Sequence, residues 1–281
     1  MASPDAARAT LTRMTWPLKW LSLFTISLAV GCADPARAQT VDVCAHRGWL
    51  EPSQPENSLE QFARTAAAGI PWIEVDLGTS ADGTLYLLHD ATLERSTSGR
   101  GRLRQMRDAQ LETVRLRTGD RISNEALPTF AQLLKWAQAS GTRLLVDLKD
   151  GAPESAAALL RQAGLIDRVI FLSFSPESDR RALASDPDVR VSMLVSDRAA
   201  VDAAVQRADG HPMALYVPHD ADASLFEYAA RTGQPVITDA MSSLDLEVAR
   251  TGSTAYQEFV RRRPVSILVS DRPLEAMRAL R

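Results

Sequence analysis

Trp72-Ile73-Glu74-Val75-Asp76-Leu77 is an apolar run that carries two acids at alternate positions. In an extended strand, residues two apart point to the same face, so Glu74 and Asp76 share one side. Two carboxylates on one face of a strand flanked by helices are costly unless a cation or a donor balances them. The run therefore reads as a barrel strand that carries chemistry.

The pattern continues on both sides. Short apolar runs stand at 41–45, 72–77, 85–88, 144–148, 169–174, 189–195, 213–217, 235–238 and 267–269. Amphipathic stretches such as 58–68, 129–139, 155–163 and 222–232 lie between most of them. This β-α alternation argues for a parallel sheet with helices outside it. No run is followed by a glycine-rich dinucleotide turn, and no short repeat is present. Nine runs is one more than an eight-stranded barrel uses. The runs at 72–77 and 85–88 are separated by a short segment containing Asp82-Gly83, a strong turn signal with no room for a helix. They read as a strand plus a hairpin-like excursion. Residues 91–127 are polar, Arg-rich and aperiodic. They read as a long loop with room for a short helix, a lid over one end of the barrel.

Composition narrows the class. The chain has 281 residues, 45% of them apolar, and a formal charge of −3. Such a chain has no basic excess to draw it to nucleic acid or to an anionic membrane. Arg261-Arg262-Arg263 reads as a solvated helix end, not a nucleic-acid patch. Lysines stand only at 19, 135 and 149 among many arginines, which singles out Lys149 as a residue kept for its own geometry.

Residues 1–38 read as an export signal. Lys19 precedes the apolar run 20–30, which is too short to span a bilayer, and Ala36-Arg37-Ala38 forms a small-x-small cleavage site. Met14 is a second candidate start. Ala29-Val30-Gly31-Cys32 also resembles a lipoprotein signal, with Cys32 acylated. Cleavage after Ala38 leaves residues 39–281 as a single catalytic α/β-barrel domain in the periplasm or secreted medium. Cys44 is then its one cysteine, expected as a small buried hydrophobe.

Polar residues at the ends of the apolar runs are the candidate site, because α/β barrels carry their catalytic groups at the C-terminal ends of strands. His46 and Arg47 end the first run, Glu74 and Asp76 lie in the second, and His89-Asp90 end the third. Asp147 and Lys149 repeat the same-face spacing in the fourth barrel run. Three carboxylates offer a hard oxygen site for Ca²⁺ or Mg²⁺. An arginine and a lysine can hold phosphate oxygens. Two histidines can serve as base and acid near neutral pH. His211, His219 and Trp49 receive no role.

Cys44-Ala45-His46-Arg47-Gly48, Pro55-Glu56-Asn57-Ser58, Ile73-Glu74-Val75-Asp76-Leu77 and the run from His89-Asp90 to Gly101 stand in an order that resembles the glycerophosphodiester phosphodiesterase family. Leu127-Pro128-Thr129-Phe130, Ser173-Phe174-Ser175-Pro176 and Val269-Ser270-Asp271-Arg272-Pro273 extend the resemblance to the C-terminus. It implies an irregular (β/α)8 TIM-type barrel of the phospholipase-C-like phosphodiesterase kind. It also implies His46 and His89 as the acid–base pair, and Glu74, Asp76 and Asp147 as ligands of a divalent cation. Arg47 and Lys149 would contact phosphate, with Glu56 and Asn57 organising the rim. The implied activity is hydrolysis of a small-molecule glycerophosphodiester to an alcohol and glycerol 3-phosphate.

Two departures from the family pattern bear on substrate. The third acid is Asp147, where the family more often carries Glu. The run at 235–238 lacks a tryptophan, so a substrate-facing aromatic is either missing or supplied elsewhere. A phospholipase acting on intact lipid head groups, related to sphingomyelinase D, is a second reading. It would bring membrane contact, as would acylation at Cys32, and an apolar rim around the barrel mouth would favour it. A non-catalytic phosphodiester-binding barrel is a third.

Overall fold

The computed structural model describes residues 40–241, 243–252 and 254–281. The export segment and Cys32 lie outside them. Eight parallel strands form the barrel: β1 (Asp42–Ala45), β2 (Trp72–Thr79), β6 (Arg143–Asp147), β7 (Val169–Ser173), β8 (Arg190–Leu194), β9 (Met213–Tyr216), β10 (Val236–Asp239) and β11 (Ile267–Ser270). Each pairs with the next around the ring. β1 closes it, setting Cys44 beside Trp72 on one side and Val269 on the other.

Period-two alternation sorts the side chains. Ile73, Val75 and Leu77 of β2 and Val191 and Met193 of β8 point outward into the main core. There they meet the buried faces of the surrounding helices, for example Phe62 of α1 (Leu59–Ala67) and Leu160 of α4 (Pro153–Ala163). Trp72, Leu145, Ile170, Ala214 and Ile237 fill the barrel's interior with Cys44, which is fully buried as expected. An eight-stranded barrel leaves an interior just wide enough for side chains to fill.

β2 runs on past the barrel. Its last residues pair antiparallel with β3 (Leu85–Leu87), Leu77 opposite Leu87 and Thr79 opposite Leu85, across a turn in which Gly83 has φ +88°. The surplus apolar run is thus the expected hairpin excursion.

The reading of 91–127 as a long loop with a short helix is corrected in part. The segment holds a short helix, α2 (Asp108–Leu111), and an antiparallel hairpin, β4 (Arg115–Thr118) with β5 (Arg121–Ala126). Leu93, Leu103, Leu111, Val114 and Leu116 pack with Tyr86, Leu88 and Leu127 into a separate small core. Its apolar residues fall at neither strand nor helix spacing, so a periodicity search passes over them. Glu125 of β5 ties this unit to the barrel: its carboxylate accepts Ser58 Oγ and the Leu59 amide at the start of α1. A carboxylate is well placed at a helix N-terminus, where amides have no partner in the helix.

The arginine run is also only partly solvated. α9 (Thr254–Arg262) ends with Arg261 and Arg262 exposed, but the Arg263 guanidinium lies 4.6 Å from the ring centre of Phe259.

Candidate active site

The ends of β1, β2, β3 and β6 meet at one rim. β1 ends in a tight turn, His46–Gly48, in which Arg47 (φ 51°) and Gly48 (φ 70°) are left-handed. Gly48 is required twice over. It adopts that φ without penalty, and a side chain there would overlap the Phe62 ring. A non-glycine residue at positive φ carries strain, and such strain collects at functional sites. The turn aims the Arg47 amide at Glu74 Oε2, 2.9 Å away.

Asn57, also left-handed (φ 54°), donates its backbone amide to Arg47 O. Its side chain brackets Asp76: Nδ2 donates to Oδ2 at 3.0 Å, and Oδ1 accepts the Asp76 amide at 3.2 Å. Asparagine suits both demands, tolerating left-handed backbone and offering a donor and an acceptor.

Glu74, Asp76 and Asp147 are all buried, and each brings a carboxylate oxygen within 4.8 Å of the others. Burial pushes the Glu74 carboxyl well above the usual range, and repulsion from Asp76 and Asp147 adds to it. Burial also raises Asp147, although Lys149 Nζ lies 2.5 Å from its Oδ2 and opposes the rise. Burial works to lower the Lys149 pKa, but Asp147 and Asp76 outweigh it and the group is raised. Lys149 is therefore a fixed cation beside the cluster, 3.5 Å from Asp76. Three crowded, buried carboxylates with one held amine fit a divalent cation: the oxygens are hard donors, and their repulsion is what such an ion relieves.

His89 follows β3 at the same rim. Its Nδ1 lies 2.7 Å from Asp90 Oδ1, and His46 Nδ1 lies 2.6 Å from Asp271 Oδ1. A carboxylate on Nδ1 holds the hydrogen there and leaves Nε2 free for chemistry. Asp90 is in turn gripped by Arg95, whose hydrogen bonds hold its carboxyl at about 2. Arg95 also binds both oxygens of Glu56, which receives Arg47 Nη1 at 2.9 Å. Burial would raise Glu56, but Arg95 and Arg47 together lower it. One charged chain thus runs from His89 through Asp90, Arg95 and Glu56 to Arg47. Arg47 Nε remains a buried donor without a hydrogen-bond partner, 3.7 Å from Asp76.

All nine sequence-identified residues meet here, with Glu56 and Asn57 behind the others. They line or support a cleft of about 340 Å³. Its opposite wall is apolar, made by Leu172, Phe174, Tyr216, Met241 and Val269. β10 brings no tryptophan to the cleft, but Tyr216 of β9 and Phe174 after β7 line it, their ring centres 5.5 Å apart. Tyr216 donates to Asp239, which also pairs with His219. His211 bonds the Asp186 carbonyl and does not line the cleft. Trp49 packs edge-on to His46, 6.0 Å between centres.

Asp271 and Arg95 were not assigned roles from the sequence, although both stand inside quoted motifs. The usable signal for Asp271 was its place: it follows the last strand as His46 follows the first, and barrel closure makes those strands neighbours.

A rim that gathers two histidines, three carboxylates, an arginine and a lysine at one end of a TIM-type barrel defines a class, and comparison with known proteins narrows it. The model of the glycerophosphoryl diester phosphodiesterase family matches residues 46–275. The chain belongs to that family. Among solved structures, it resembles a glycerophosphoryl diester phosphodiesterase from Parabacteroides distasonis, with a TM-score of 0.77 and 26% identity over 87% of each chain. It is also similar to the glycerophosphodiester phosphodiesterase of Caldanaerobacter subterraneus, 26% identical over 54% of this chain and 65% of the relative. Bovine (Bos taurus) glycerophosphodiester phosphodiesterase 1 is 28% identical over 55% of this chain and 49% of its own length. The chain thus spans about half to two thirds of the length of these curated relatives.

Proposed function

We propose that this protein hydrolyses glycerophosphodiesters to an alcohol and glycerol 3-phosphate. The observation that carries the reading is a pair of carboxylate-held histidines, His46 with Asp271 and His89 with Asp90, lining one cleft with three crowded carboxylates. A pure binder has little need for two histidines prepared in this way.

Glu74, Asp76 and Asp147 would hold a divalent cation, Ca²⁺ or Mg²⁺. Bound there, it would neutralise phosphate charge and stabilise charge that develops in the transition state. Arg47 and Lys149, which both line the cleft, would hold phosphate oxygens. One histidine takes a proton at Nε2 from the attacking hydroxyl, which belongs to water or to the substrate's own glycerol; in the second case a cyclic phosphate forms first and water then opens it to glycerol 3-phosphate. The other donates a proton to the departing alcohol. The apolar wall opposite would hold carbon, not charge. The export pattern in residues 1–38 adds a periplasmic or secreted location. N-terminal sequencing checks it, since cleavage after Ala38 exposes Gln39 and lipidation leaves an acylated Cys32.

The test is turnover of a panel of glycerophosphodiesters in Ca²⁺ or Mg²⁺, with chelator and His89→Ala controls. No turnover on any substrate with either ion sinks the proposal. One observation favours the lipid reading as well: Phe174 and Leu194, which follow β7 and end β8, stay 45% and 41% exposed at the rim. Faster cleavage of a lysophospholipid in micelles than of its deacylated counterpart would decide for it.

A further inference from the structure

The cleft does not end at the carboxylates. A second lobe of about 310 Å³ opens between the segment after β6 and the start of α5 (Pro176–Ser185). Asp147, Lys149, Leu172 and Phe174 line both lobes, so the two lie side by side. Three hydroxyls form its polar wall. Ser173 Oγ donates to Ser178 Oγ at 2.8 Å, and Ser178 Oγ lies 2.8 Å from Ser175 Oγ. Arg181 lines it too. The Arg181 ion pair among the described residues, to Glu154, is 4.0 Å long, beyond hydrogen-bonding distance. Asp147 is the one carboxylate among the described lining residues, and Lys149 holds it.

A phosphodiester has two alcohols. With phosphate at Arg47 and Lys149, the open volume that adjoins Lys149 is a ready exit for one of them. We infer that the lobe lined by Ser175, Ser178 and Arg181 receives the leaving alcohol and selects a polyol head group over a quaternary ammonium. The inference rests on the phosphodiesterase reading above. Ser175 and Ser178 cap α5, each hydroxyl accepting the other's amide, so the Arg181 guanidinium is the lobe's strong donor, and it matches a group rich in hydroxyls. A quaternary ammonium has no N–H to offer and meets the like charge of Arg181. Proteins that bind such ions surround them with several aromatic faces, and this lobe has Phe174 alone among its described lining.

The experiment compares kcat/KM for glycerophosphoinositol, glycerophosphocholine and the methyl ester of glycerol 3-phosphate, whose alcohol is too small to reach the lobe. Wild type should prefer inositol to choline. Arg181→Glu, a change at an exposed position, should lower the inositol-to-choline ratio by about tenfold, the worth of one charge-assisted contact. Its turnover of the methyl ester should stay within about twofold of wild type. An unchanged ratio in Arg181→Glu, or a wild-type preference for choline, overturns the inference while methyl ester turnover keeps the hydrolase reading. Absence of turnover on all three removes both.

Discussion

Replacing Asp271 by Asn tests whether His46 works as a prepared acid–base group. Asp271 Oδ1 sits 2.6 Å from His46 Nδ1, the length of a charge-assisted hydrogen bond. Such a bond contributes about 1.5–3 kcal/mol, which corresponds to a rate factor of about 10 to 150 if it acts only in the transition state. The Asp271 side chain is 31% exposed, so water replaces part of the loss and the lower half of that range applies. Steady-state assay should show kcat reduced about 10- to 50-fold with KM changed less than about twofold, since the lost contact orients a proton-transfer group and does not bind substrate. The backbone amide of Asp271 donates to Asp245 Oδ2, and asparagine keeps that bond, so the thermal midpoint should hold. A kcat within twofold of wild type in a folded variant would refute the role given to the pair. A rise in KM with kcat unchanged would move Asp271 from preparing His46 to binding substrate.

Calcium or magnesium at a hundred times its dissociation constant should stabilise the wild type by about 2.7 kcal/mol, read as a shift in unfolding midpoint. Glu74→Gln should erase that shift, and a shift that survives would place the ion elsewhere. Asp90 titrates near 2 in the fold, below its usual 3.8, because Arg95 holds it. The folded state therefore binds fewer protons than the unfolded one between those values. The stability of the pair is whole above about pH 4 and is lost as pH falls toward about 2. Urea midpoints from pH 2 to 6 should show a shallower acid limb in Arg95→Leu, and an identical limb would dismiss the contact as inert. Gly48→Ala should destabilise the fold by more than about 1 kcal/mol, because its φ is positive and Phe62 fills the space. A neutral result by denaturation would show that Phe62 can move aside.

Much of this architecture could be read in the chain. The Glu74/Asp76 spacing puts both groups on the inner face of β2, beside Asp147 of the neighbouring β6, because a strand's period of two is a geometric certainty once the strand is granted; Lys149 stands two residues beyond the end of β6. Histidines at strand ends fall on the catalytic rim for the same reason. Ring closure was harder to read: no local pattern says that β1 will pair with β11, so Asp271, 225 positions from His46, had no visible partner. Arg95 was hidden for another reason. It lies in a segment whose fold rests on a small irregular core, where neither period applies, and its role depends on a loop residue, Glu56, brought alongside by that fold.

Closure has a consequence for the life of the polypeptide. His46 emerges near the start of the described barrel and Asp271 near its end, and they meet only when the final strand takes its place. A nascent, clipped or half-threaded chain would therefore carry both histidines and all three acids yet leave His46 unprepared. Ring completion would act as the checkpoint that prepares His46.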